Sequence, residues 1–356
     1  MVLSVAYPLA PVSADAVGGA EQVLRTVEAG LVQRGFRSVV VAKAGSSVAG
    51  ELLGVEVSSE LLTETVRARV EESTQRRIDE AFARFRVDLV HMHGVDFYRY
   101  RVPGDCPVLV TLHLPPGWYP KEIWSLPKRY RLQCVSESQR QACPDALRAR
   151  VEVVGNGVAL PDVDVPERER RKGRFGVMLS RICVEKNLHV GLDAARAAGM
   201  PVILAGQVFA YPEHMRYFAC EVEPRLGRGA RFVGPVGGAA KARLLGRARC
   251  LLLPTLAPET SSLVAMEAFA AGTPVVAMRS GAIPEIVEDG LTGFLVDDGK
   301  EMTAAIARVG EIDGAVCRRV ARERFSAEGM VERYVELYRR LHGLPAGPPT
   351  RRAVTS

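Results

Sequence analysis

Two pairs of charged residues in the second half of the chain carry its most specific chemistry. In Arg181-Ile182-Cys183-Val184-Glu185-Lys186-Asn187, an arginine directly follows an apolar run and a lysine opens the next helical segment. At one strand end, two such cations bracket a diphosphate, the arginine through its planar fork and the lysine as a point charge. In Pro254 to Glu285, Glu259 and Glu267 flank Ser261, Ser262 and Leu263. Either serine is placed to cap a helix running through Ala270, whose free N–H groups and positive dipole end make an anion site. At ~1.5 Å per helical residue the two carboxylates lie within about 10 Å of each other, the span from a nucleotide's ribose to its sugar. Taken singly, each pair is also what a solvated helix surface supplies.

The first half adds smaller pieces. Gly18-Gly19-Ala20-Glu21 follows the first apolar run, and side-chain-free residues let backbone N–H groups approach a phosphate. No G-x-G-x-x-G spacing accompanies them, Lys43 stands where a dinucleotide site wants an acid, and no G-K-[ST] loop occurs. His113 ends an apolar run and is followed by a proline-glycine loop with Trp118 and Tyr119, side chains suited to covering a sugar ring. His91 and His93, spaced i,i+2 at a strand end, can face one way. Without an accompanying carboxylate set they are read as acceptor contacts rather than as metal ligands, and no metal site is expected. Asp162-Val163-Asp164 is a D-x-D string in a charged stretch and is read as solvated spacer.

What must position these residues is a succession of βα units. Short β-branched runs alternate with helical periodicity, the mark of parallel sheets buried on both faces. The runs are 2–6, 38–42, 88–92, 108–112, 132–136 and 151–154, then 175–179, 201–205, 230–233, 250–253, 274–278 and 293–296. Two doubly wound α/β domains are therefore expected, at 1–156 and 174–325, joined by a proline- and charge-rich linker at 157–173. An amphipathic helix at 326–342 carries Met330, Tyr334, Leu337, Tyr338 and Leu341 on one face and must dock on an apolar surface. The tail 343–356 is expected to be disordered. In open parallel sheets ligands bind beyond the carboxyl ends of the strands, which is where the residues above fall.

Composition excludes several classes. The 47 Lys+Arg against 41 Asp+Glu, net +6, are interspersed rather than blocked, so no nucleic-acid partner is expected. Seven scattered cysteines without a C-x-x-C pair make neither a disulfide framework nor a zinc site. No apolar stretch approaches the ~18 residues that span a bilayer, and MVLSVAYPLA has no basic leader, so a cytoplasmic location is expected. The cationic, aromatic stretch at 121–131 is read as a helix leading into a strand, and membrane association is not expected.

Together these motifs resemble the retaining glycosyltransferases of family 4, with their GT-B architecture of two Rossmann-like domains facing a central cleft. The resemblance rests on GGAE (18–21), TLH (111–113), CVSES (134–138), VGNGV (154–158), LSRICVEKN (179–187), LAGQ (204–207), FVGPV (232–236) and the E-x7-E block through SGAIPEIVEDGLTGFLV. It implies a nucleotide-diphosphate-sugar donor, no cofactor or divalent metal, and a small-molecule or glycan acceptor held by the N-terminal domain. On matching positions, Arg181 and Lys186 would hold the diphosphate, Glu267 the ribose and Glu259 the transferred sugar. Gly18 and Gly19 would meet the distal phosphate, His113 the reaction centre, and Val233, Gly234 and Val236, with Gly206 nearby, the base. The last helix would cross back onto the first domain. One departure is Glu259-Thr260-Ser261-Ser262, where the family commonly has glycine after the first glutamate. A monomer or homodimer is expected. The arginine, alanine, valine and glycine richness matches a high-GC bacterium, where a secondary-metabolite acceptor, as in antibiotic biosynthesis, fits. The rival readings are a sugar-nucleotide 2-epimerase of the same fold and a non-catalytic nucleotide-sugar-binding module.

Overall fold

The computed structural model describes residues 1–14, 16–57, 63–160, 172–227 and 229–342. The Asp162–Asp164 string, most of the expected linker and the tail 343–356 lie outside the described residues. Two separate parallel sheets form. The first has the order β3-β2-β1-β4-β5-β6-β7, from β1 (Val2–Val5), β2 (Ser38–Lys43), β3 (Glu51–Val55), β4 (Leu89–Met92), β5 (Val108–Leu112), β6 (Tyr130–Cys134) and β7 (Glu152–Val153). The second has the order β10-β9-β8-β11-β12-β13, from β8 (Gly176–Leu179), β9 (Val202–Ala205), β10 (Ala230–Phe232), β11 (Cys250–Leu253), β12 (Val275–Met278) and β13 (Gly293–Val296). In both sheets the chain winds outward in one direction from a central first strand and then in the other, which leaves a ligand crevice at the switch point.

The central strands are buried along their whole length, as expected of runs with helices on both faces. The first sheet has one strand more than the sequence runs gave. β3, ELLGV, begins on an exposed glutamate, carries Gly54 and sits at the sheet edge, so its half-buried pattern made no apolar run. The turn into it is held by Glu28, whose buried carboxylate accepts from Ala49 N and Gly50 N at 2.8 and 2.7 Å.

The closing helix Ala327–Leu341 follows the second lobe in sequence but packs on the first. Met330, Val331, Tyr334, Leu337 and Tyr338 pack with Val23, Val27 and Leu31 of the helix Gly19–Gln33, and with Val2, Leu89 and Leu109 of the sheet. A side chain at Gly30 would meet Val331 Cγ2 at 2.6 Å, so glycine there permits the close approach of the two helices. The two interlobe crossings run side by side: Val158 N donates to Phe325 O at 2.8 Å, and Ala327 N donates to Val158 O at 2.9 Å. Ser326 caps the helix by accepting from Gly329 N at 3.2 Å. Ser326→Ala is expected to destabilise the protein by about 1 kcal/mol, as read by denaturant unfolding. A change below a few tenths would mean that packing alone fixes the start of the helix.

Candidate active site

The second lobe presents its charges on loops clipped to one another. After β8, Ser180 and Arg181 lead into a 3-10 turn, Val184–Lys186, and Asn187 takes a left-handed conformation (φ 52°) before the helix Leu188–Ala197 begins. Lys186 therefore ends a tight turn instead of opening the helix, which corrects the sequence expectation. Leu256 N and Ala257 N, after β11, donate to Glu185 O at 3.0 and 3.3 Å and tie the two strand ends together. Within this frame Lys186 Nζ forms an ion pair with Glu259 Oε1, both side chains mostly buried. Glu259 is fixed through its backbone: Ala282 N donates to Glu259 O at 2.7 Å. Gly281 (φ 52°) lies so close that a Cβ there would stand 2.2 Å from the same carbonyl. Arg181 is exposed, with its guanidinium 3.7 Å from Glu185.

The helix Leu263–Ala270 starts at Ser262, whose backbone is extended as an N-cap requires. Its side chain does not cap, however, and the buried Ser261 Oγ has no partner among the described residues. The expected serine cap is thus corrected. Because no hydroxyl occupies the first-turn N–H groups, they stay available to an anion. Glu267 lies about one turn inside, 2.5 Å from Lys241 Nζ of the helix Gly238–Arg247. Lys241 was missed in the sequence, since a lone lysine on a polar helix carries no spacing signal. At the far strands, Gly206 N donates to Gly234 O at 2.9 Å and Val233 N to Leu204 O at 3.0 Å, with Val233 exposed. A Cβ on Gly206 would stand 1.7 Å from Ser180 O, so only glycine fits at that meeting of loops.

The first lobe brings a second helix start to the same place. Gly18 is the extended N-cap of Gly19–Gln33, and the position of a Cβ on Gly19 lies 3.5 Å from Leu263 Cδ1, the first residue of the opposing helix. Glu21 folds its carboxylate back over Gly18, and burial raises its pKa. Two further bonds register the lobes. Thr260 Oγ1 donates to His113 O at 3.0 Å, and the Glu285 carboxylate accepts from Glu137 N at 2.9 Å and from Ser138 N.

The expected acceptor side is partly corrected. Trp118 is 56% exposed and free to cover a ligand. Tyr119 is buried, and its hydroxyl accepts from His113 N and Leu114 N at 3.0 and 3.1 Å, so it shapes the His113 loop from within. His91 and His93 are buried, 0% and 2% exposed: His91 lies against Tyr334 and Tyr338 of the closing helix, and His93 lies between His91 and His113. They stand behind His113 in a hydrogen-bonded row: His113 Nε2 is 3.2 Å from His93 Nδ1, and His93 Nε2 is 3.1 Å from His91 Nδ1.

Burial depresses the pKa of His91 and His93 strongly and that of His113 to about 4. Between that value and the ordinary 6.5 the unfolded chain binds more protons, so each histidine contributes stability that is lost as pH falls through this window. Asp96 acts oppositely: burial raises its pKa to about 6, so the folded state holds its proton longer. With three histidines against two carboxyls, Asp96 and Glu21, the protein is expected to unfold at lower denaturant at pH 5 than at pH 7, and Asp96→Asn to steepen that fall. Equal midpoints at the two pH values would contradict the assignment.

Residues 17–160 match the family described as Glycosyltransferase Family 4, and residues 176–311 the family described as Glycosyl transferases group 1. The D-inositol 3-phosphate glycosyltransferase of Corynebacterium urealyticum is 29% identical over 239 residues, 58% of this chain and 55% of that one. Its namesake from Nocardioides sp. is 35% identical over 228 residues, 55% of this chain and 50% of the relative. The chain thus spans about half the length of these curated relatives. Among solved structures, sucrose-phosphate synthase from Thermosynechococcus elongatus superposes with a TM-score of 0.76 at 17% identity, covering 96% and 99% of the two chains. HepE from Anabaena, in complex with UDP and glucose, gives 0.70 at 18%, covering 94% and 98%. AviGT4, a glycosyltransferase involved in avilamycin A biosynthesis, gives 0.70 at 22%, covering 96% and 98%. At these identities the likeness shows the fold. Two parallel-sheet lobes with this topology define the GT-B class. The chain belongs to the glycosyltransferases of family 4. No helix among the described residues is long and apolar enough to cross a membrane.

Proposed function

We propose that the chain transfers a sugar, with retention of anomeric configuration, from a nucleotide-diphosphate sugar to a hydroxyl of a small-molecule or glycan acceptor. The observation that carries this is the meeting of two helix starts, one from each lobe, at Gly19 and Leu263, with Glu259, paired to Lys186, in the loop that leads into the second of them. As the bond from the anomeric carbon to the diphosphate oxygen breaks, negative charge gathers on the departing group. Preorganised N–H groups, Lys186 and Arg181 stabilise it without reorganisation. Glu259 then faces the sugar hydroxyls and Glu267 the ribose. Cations and helix dipoles meet the charge that a divalent metal meets elsewhere, so transfer is metal-independent and persists in EDTA. Relatives named as glycosyltransferases, and a related structure holding UDP and glucose, support the donor class.

The test is thermal stabilisation by a panel of UDP-, GDP-, ADP- and dTDP-sugars. The correct donor at ~100 times its Kd adds ~2.7 kcal/mol, a shift of about 3–4 °C for a protein of this size. No shift with any donor would overturn the assignment.

A further inference from the structure

We infer that His93 and His91 fix the tautomer of His113, holding its proton on Nε2 and presenting a bare Nδ1 to the cleft. Gln133 is fully buried in β6. Its Nε2 donates to two backbone carbonyls, Cys134 O and Val154 O, so its Oε1 must face the other way. There it accepts from Thr111 Oγ1 at 2.5 Å and from Tyr334 OH at 3.0 Å. With its single proton given to Gln133, Thr111 Oγ1 can only accept at its other contact, His91 Nε2 at 2.8 Å, so His91 carries its proton on Nε2.

His91 is sealed from water and neutral, so its Nδ1 is bare. Its one lone pair takes Tyr338 OH at 2.6 Å, and a bare His93 Nε2 at 3.1 Å would set a second lone pair against it, so the His93 proton sits on Nε2. His93 Nδ1 is then the acceptor, and the donor at 3.2 Å is His113 Nε2. The opposite direction fails at its inner end. It needs Thr111 to donate to His91, which leaves two lone pairs facing each other across the 2.5 Å contact with Gln133. Rotating the Gln133 amide does not help, because its oxygen would then face two carbonyls.

At the outer end, His113 Nδ1 has no hydrogen-bonding partner among the described residues and is not among the atoms sealed from solvent. A bare imidazole nitrogen at the cleft accepts a hydrogen bond from a hydroxyl of a bound sugar; a protonated one does not. His93 and His91 are therefore positioning residues, acting on the reaction only through His113. That consequence rests on the proposed sugar transfer; the tautomer itself does not.

The chain has six histidines, so selective 15N-histidine labelling gives an assignable spectrum. In the wild-type protein at pH 7, without substrate, long-range 1H–15N correlations should show His113 with a protonated Nε2 and an unprotonated Nδ1. A proton on Nδ1, or a doubly protonated ring, would overturn the inference whatever the activity. His93→Asn keeps an acceptor near the Nδ1 position and should preserve that pattern. His93→Phe should yield a mixed His113 signal and lower turnover roughly 10- to 100-fold, the scale of losing an orienting partner. An unchanged His113 spectrum in His93→Phe would also refute it. Absence of sugar transfer by the wild-type protein, with the His113 tautomer as inferred, would instead count against the sugar-transfer reading alone.

Discussion

Lys186→Ala is expected to lower turnover on the order of 10²- to 10³-fold with the preferred donor, the cost of removing one preorganised group that faces developing charge. The effect has two sources. The substitution deletes the cation itself, and it leaves the mostly buried Glu259 carboxylate without its partner, adding an uncompensated negative charge beside the departing diphosphate. Arg181 stands in a different environment: its guanidinium is exposed and shared with Glu185, so screening weakens it, and Arg181→Ala should cost about tenfold. Steady-state kcat and kcat/KM for the two variants check the ranking. Retention of wild-type turnover by Lys186→Ala, to within a factor of about three, would remove Lys186 from the mechanism.

Tyr334→Ala is expected to be the most destabilising single substitution in the closing helix, at about 3–5 kcal/mol. Tyr334 is the bulkiest fully buried side chain among the described residues, packed in the apolar layer between the closing helix and the first lobe, with its hydroxyl on Gln133. Truncation leaves a cavity where the helix is anchored. Tyr334→Phe keeps the ring, and Thr111 still donates to Gln133, so its cost should be about 1 kcal/mol. Chemical denaturation of the two variants separates packing from hydrogen bonding. Equal losses would show that the hydroxyl, rather than the ring, holds the helix.

The contrast between Lys186 and His91 shows what a linear sequence carries. Strand ends were legible because buried parallel strands leave unbroken β-branched runs, and ligand chemistry in such sheets sits just beyond them. Lys186, Glu259, Gly19 and His113 were reached by that rule alone. Spacing left the cap open between Ser261 and Ser262; Ser262 holds the N-cap position, but whether a hydroxyl turns inward to cap depends on rotamer packing that spacing does not encode. The i,i+2 spacing of His91 and His93 gave a shared face and could not say what lies over it; against His91 it is a helix more than 200 residues later in the chain. Lys241 and Glu285 act across element boundaries, one pairing with Glu267 and the other capping the opposite lobe, and neither lies in a local pattern. β3 was lost for a related reason, since an edge strand needs only one apolar face.

The most direct measurement is calorimetric binding of a nucleoside diphosphate and its parent nucleoside to the wild-type protein and to Lys186→Ala. If both lobes converge on a diphosphate, the wild type binds the diphosphate at least tenfold more tightly than the nucleoside, and the substitution erases most of that difference while leaving nucleoside affinity unchanged. Equal affinities for the two ligands in the wild type, or a diphosphate preference that survives loss of the Lys186 ammonium, would contradict it.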